Sequence, residues 1–197
     1  MLDGAIDLLP TSKLHQIAKK YLDLKRLRPD AEKATRPALL TDVKRFEKAS
    51  LAGEYYESFN VNSGNFMQQS AGTNAWIAEY GRLLDRCVMN ATKSDPAEVR
   101  GAMDVLFGLL NHIDEGNDDV IFFADEGGSW QVGVEWAKVL PAWFKVLSAT
   151  VEPEEYAKRV SALLSSHYHH GREKMLAIAR RTATTNQRMA LAKIQGA

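Results

Sequence analysis

Trp76, Ile77, Tyr80, Leu83, Leu84, Cys87 and Val88 recur at i, i+1, i+4, i+7, i+8, i+11 and i+12. That spacing gathers all seven on one side of a 3.6-residue helix and has none of the alternation of a half-buried strand. The same period returns along the chain. Val99, Ala102, Met103, Leu106, Phe107, Leu110 and Ile113 form one stripe, and Trp136, Val139, Leu140, Trp143, Phe144 and Leu147 form another. Tyr156, Val160, Leu163 and Leu164 continue it, followed by Met175, Leu176, Ile178 and Ala179, and by Met189, Leu191 and Ile194. Earlier, Leu14, Ile17, Ala18, Tyr21 and Leu22 mark one helix, and Leu39, Leu40, Val43 and Phe46 a second that ends before Gly53. The pattern predicts an all-α fold of about seven to nine helices in antiparallel hairpins, as a bundle or a short repeat-like stack.

Helix punctuation supports this reading. Asp95-Pro96-Ala97-Glu98 is a start signal, with Asp95 as cap, Pro96 at the first helical position and Glu98 placed for a capping box. Glu152-Pro153-Glu154-Glu155 opens a helix in the same manner, Thr184 with Gln187 makes a capping box, and Thr73 reads as an N-cap. Pro141 inside its stripe predicts a late start or a bend, and Gly171 a stop or kink. Residues 54–72 are irregular, with Asn60, Asn62, Asn65, Gln68 and Gln69 set among Tyr55, Tyr56, Phe59, Phe66 and Met67. They suit turns, which Asn and Gly favour, or alternatively the lining of a ligand pocket. The expected organisation is an N-terminal helical pair over 1–53, a connector over 54–72 and a main body over 73–197, compatible with a single domain.

One segment breaks the helical pattern. Asp114–Trp136 holds seven acids, four glycines, two tryptophans and the apolar run Val120–Phe123. Its two short β-type runs, Val120–Phe123 and Trp130–Val134, flank a turn at 124–129. They predict either a small hairpin packed on the helices or an extended loop whose aromatics enter the core. Six of the acids lie between Asp114 and Glu126 with no Lys or Arg among them. Aromatic anchors framed by charge are the composition of an interface. Asp118, Asp119, Phe122, Phe123, Asp125, Glu126 and Trp130 are therefore the expected partner-binding residues. The same carboxylates are hard ligands of the type Ca²⁺ or Mg²⁺ takes, although their spacing does not match an EF-hand loop.

The runs NVNSGNFMQQSAGTNAWIAEY, IDEGNDDVIFFADEGGSWQVGVEW and TVEPEEYAKRV resemble a set of uncharacterised bacterial proteins of unassigned function, over roughly residues 50–190. The resemblance implies no chemistry and carries over no site residue.

Charge narrows the function classes. The chain is neutral overall, which argues against a general nucleic-acid binder. The middle is nevertheless acidic and both ends are basic, so the ends either neutralise the middle or present a second face. Arg172, Lys174, Arg180, Arg181, Arg188 and Lys193 form a basic tail that reads as a solvated helix face. Cys87 is the single cysteine and lies on an apolar stripe, so it reads as core. The start MLDGAIDLLP does not read as a signal peptide, and no stretch approaches the ~20 apolar residues of a membrane span, so a reducing cytoplasm is the expected setting.

His167-Tyr168-His169-His170 with Glu173 is the other constellation. On one continuous helix His167 and His170 would share a face and His169 would pair with Glu173, a spacing able to hold a transition metal with a third ligand such as His112. No HExxH motif, phosphate-binding loop, nucleophile elbow or dinucleotide fingerprint accompanies it, so nothing supports an enzyme. The expected function is a cytoplasmic protein-interaction module that docks a basic or amphipathic partner through 114–136, with no cofactor; self-association is compatible with this reading. The alternative is a divalent-metal-binding protein or metal-dependent hydrolase using the acidic segment or His167, His170 and Glu173.

Overall fold

The computed structural model describes residues 38–116, 119–124, 127–168 and 171–195. All of them fall within one compact unit, Ala38–Ala197. The helix expected around Leu14–Leu22 lies outside the described residues, as do Asp118, Asp125, Glu126, His169 and His170.

Among the described residues seven α-helices account for the periodic stripes: α1 (Leu39–Leu51), α2 (Ala71–Asn90), α3 (Pro96–Asp114), α4 (Trp136–Ser148), α5 (Pro153–His167), α6 (Arg172–Thr182) and α7 (Thr185–Gln195). The all-α expectation holds. The most extensive packing joins helices next but one in sequence: α1 lies against α3, α4 against α6 and α5 against α7. The shared core places Trp76, Tyr80, Leu83, Met103, Leu106, Leu110, Trp143, Phe144 and Tyr156 fully out of water.

The polar atoms of Ser50, Trp76, Tyr80 and Tyr156 inside this core are paired, whereas the buried indole nitrogen of Trp143 has no hydrogen-bond partner among the described residues. The Trp76 indole donates to Ser50 Oγ at 2.8 Å, and Ser50 Oγ donates to the Phe46 carbonyl at 2.8 Å. The Tyr80 hydroxyl donates to Leu106 O and that of Tyr156 to Ala179 O, each tying one helix to another. Trp76 and Tyr80 stack at 5.0 Å, a pairing that adds about 0.5–1.5 kcal/mol to their burial.

Several local expectations hold and several shift. Asp95 caps α3 by accepting from Ala97 N at 3.1 Å, with Pro96 at the first helical position. Glu98 does not close the capping box; its carboxylate faces Leu40 N at 3.4 Å and serves the first turn of α1, 58 residues away. Thr73 is not the cap of α2. The helix begins three residues earlier, and Ser70 accepts from Thr73 N at 3.0 Å. Thr184 and Gln187 do form the reciprocal box, at 3.0 and 3.3 Å. Pro141 is accommodated inside a continuous α4, so the helix does not start late. Gly171 (φ 78°) divides α5 from α6.

Among the described residues of 114–136 there is no strand, so the hairpin alternative is not realised. The segment is an irregular run ending in a 3-10 turn, Ser129–Val132. Its buried side chains among the described residues are aliphatic, Val120, Ile121 and Val132, while the aromatics Phe123 and Trp136 pack against the core partly buried.

Candidate functional site

The two irregular segments of the sequence, 54–72 and 114–136, meet in space. Phe122 makes the junction. Its ring sits edge-on to Tyr56 at 6.1 Å and to Phe59 at 5.1 Å, while its carbonyl accepts from Thr73 Oγ1 at 2.9 Å. Thr73 is fully buried one turn into α2, and its hydroxyl also receives the Ser70 hydroxyl at 3.0 Å. The helix cap and the acidic segment thus share one hydrogen-bonded node.

Close approaches set the shape of both walls. A Cβ at Gly72 would lie 2.2 Å from the Tyr55 carbonyl, so only glycine lets the 54–72 segment turn onto α2 there. Gly72 N donates to Glu57 Oε2 at 2.9 Å across the same turn. A Cβ at Gly127 would meet the Phe123 ring at 2.1 Å, so the Phe123 side chain lies directly against the glycine. The 3-10 turn is held by Asp114, whose carboxylate accepts from Ser129 N at 2.8 Å and Ser129 Oγ at 2.7 Å.

Between the walls lies a groove of about 370 Å³ whose lining includes Phe66, Met67, Phe122, Phe123 and Trp130 with the amides of Gln68, Gln69 and Gln131. Among the described residues no lining residue is charged. Met67 is 84% exposed, Trp130 75% and Phe66 45%. Five of the nine large hydrophobic side chains that the described residues leave exposed (Tyr56, Val61, Phe66, Met67 and Trp130) belong to these two segments. Scattered apolar exposure is ordinary; this concentration around one concavity is not. The segments together carry nine carboxylates and no lysine or arginine.

The expected partner-binding residues therefore separate. Phe122, Phe123 and Trp130 come together in the groove, with Trp130 turned outward. Asp119 is exposed, with its Oδ1 3.0 Å from His112 Nε2. Asp118, Asp125 and Glu126 lie outside the described residues. Phe66, Gln68 and Gln69, which the sequence offers as turn chemistry or as a pocket lining, fall with Met67 in the wall of the groove; the segment they face, some 50 residues on, is not legible in sequence. The asparagines there make the turn: Asn62 N donates to Asn65 Oδ1 at 2.7 Å, Gly64 N to Asn62 Oδ1 at 2.8 Å, and Asn65 Nδ2 to Asn60 O at 2.8 Å.

The histidine constellation has a different geometry from the one its spacing predicts. α5 ends at His167, and Tyr168 leaves helical conformation (φ −141°, ψ 73°), so a continuous helix through Glu173 does not exist. The His167 ring stacks on Trp136 at 5.0 Å, with Nε2 3.2 Å from Asn111 Oδ1 and Nδ1 4.0 Å from Asp114 Oδ2. Glu173 is exposed in the first turn of α6, and His170 lies outside the described residues. Among the described residues no group of three His, Cys, Asp or Glu side chains is gathered as a metal would require. Burial pushes the Cys87 thiol up to about 12, which keeps it protonated and unreactive.

A second, smaller cavity of about 230 Å³ opens beside α3 and α5, with Asp104, Asn111, Trp143, Arg159 and His167 in its wall. Its charges are already used on one another: Arg159 pairs with Asp104, which Arg100 also reaches at 3.0 Å. The groove, by contrast, leaves apolar surface unpartnered.

Comparison with family models, with curated proteins and with solved structures finds no match to this chain.

Proposed function

We propose that the protein is an interaction module whose groove between 54–72 and 114–136 docks a basic, amphipathic segment of another protein. The observation that carries the reading is the concentration of exposed Met67, Trp130 and Phe66 around one concavity. Covering a side chain of that size contributes about 1.5–3 kcal/mol, so the surface holds a reserve of binding free energy that the isolated chain does not use. The sign of the partner follows from charge, since the sequence of the two segments that form the groove holds nine carboxylates and no lysine or arginine, which favours a positive segment on approach. A cytoplasmic setting fits the single, buried thiol. Among the described residues no helix is long and apolar enough to cross a membrane.

The test is affinity capture by the intact chain against a Met67→Ser/Trp130→Ser double variant. Both side chains are exposed, so melting temperature should be unchanged. The captured protein is then identified, and its basic segment is synthesised and titrated. Binding that is at least tenfold weaker in the variant supports docking at the groove. Equal binding by the two chains, or self-association that the variant abolishes, would overturn the proposal.

A further inference from the structure

We infer that the groove's anchor is a cation: the ammonium of a partner lysine side chain, held most tightly when N-methylated. This rests on the docking reading above and adds which chemical group enters. Among the described residues the lining is built from four aromatic rings, a thioether and three side-chain amides, with no charged residue. Aromatic faces carry the negative end of a quadrupole and attract an ammonium, while amide oxygens can accept its protons. Among the described residues, the carboxylates of the two segments are absent from the lining, and they raise the local concentration of cations around it.

A hydrocarbon anchor would gain burial but nothing from this field. A bare ammonium gains the field and loses hydration. An N-methylated ammonium keeps the charge, sheds water at lower cost and presents methyl groups to the rings. The volume of about 370 Å³ accepts the head group and part of its stem.

Three otherwise identical Gly/Ser-rich peptides, carrying norleucine, lysine or trimethyllysine at the centre, test this against the full chain at low ionic strength. The readout is the indole N–H resonance of Trp130, assigned by its loss in Trp130→Leu. Tetramethylammonium chloride and sodium chloride serve as charge and screening controls. The expected order is trimethyllysine tighter than lysine tighter than norleucine, by about two- to five-fold per step, with Trp130→Leu, read through the backbone amide resonances of the lining residues Gln68 and Gln131, levelling all three. Tetramethylammonium should move the same resonance where sodium does not. Norleucine binding as tightly as lysine would overturn the cation anchor and leave docking standing. No shift with any peptide or with tetramethylammonium would overturn it as well. Docking then stands or falls by the Met67→Ser/Trp130→Ser capture.

Discussion

The Thr73 hydroxyl donates to the Phe122 carbonyl at 2.9 Å, across 49 residues of sequence. Thr73 lies in the first turn of α2, and Phe122 lies in the groove wall with its ring wedged between Tyr56 and Phe59. One buried side chain therefore couples a helix start to the position of the candidate site. Thr73→Val keeps the shape and removes the donor, leaving the Phe122 carbonyl unsatisfied. Urea unfolding should show a loss of about 1–3 kcal/mol. An unchanged midpoint would mean that water replaces the hydroxyl and that the node does not hold the groove.

Gly127 tests the other wall. The alanine Cβ would fall 2.1–2.5 Å from Phe123 Cγ, Cδ2 and Cβ, closer than real contacts allow, so ring and backbone must shift. Gly127→Ala should weaken partner binding more than it weakens folding, with a stability loss of about 1–2 kcal/mol. Binding by titration and stability by melting separate the two. Binding retained in full would show that Phe123 is not part of the recognising surface.

Gln187 is almost fully buried and knits α7 to the end of α4. Its Oε1 accepts from Thr184 N at 3.0 Å and Ser148 Oγ at 2.7 Å, and its Nε2 donates to Ser148 O at 3.0 Å and Val151 O at 3.1 Å. Gln187→Leu strips these partners at once and should cost about 2–4 kcal/mol. Its exposed neighbour offers a control, since Arg188→Ala should change stability by about 0.5 kcal/mol or less. Similar midpoints for the two variants would contradict the assigned network.

Stability should fall on the alkaline side. Burial raises the Cys87 thiol from its ordinary 9.0 to about 12 and lifts the Tyr80 and Tyr156 phenols above 10.0. In each case the folded chain holds its proton to higher pH than the unfolded chain does. The stabilisation is thus complete below about pH 9 and is lost as pH rises from there, at about 1.4 kcal/mol per pH unit for each group that ionises only on unfolding. Urea midpoints measured at about pH 8, 9.5 and 10.5 would show the decline. A flat profile would mean that these groups meet solvent in the native state.

The irregular segments show how far sequence reading reached into the site. Phe122, Phe123 and Trp130 stood out because aromatics crowded among carboxylates have no role in a plain helix connector. Their orientation did not follow: Val120 and Ile121 took the core, and Trp130 was left 75% exposed. Met67 carried no comparable signal, since one methionine in an Asn/Gly-rich stretch looks like filler until the opposing wall is known. The histidine pattern misled for a local reason. A 3.6-residue spacing across 167–173 has meaning only if the helix continues, and Tyr168 with Gly171 ends it.

The sequence alone determined the helices and most of their ends, because a helical hydrogen bond spans four residues and a capping bond spans two or three. Apolar period and the polar residues beside it are therefore sufficient to place α3 from Asp95 and α7 from Thr184. Tertiary structure decided what lies farther apart than that reach. Glu98 turning to Leu40 N, Thr73 holding Phe122 O, and residues 66–69 facing Trp130 all depend on which helix faces share the core. Burial of those faces is non-directional, so the pairing of elements, and with it the groove, emerges only when the whole core is packed.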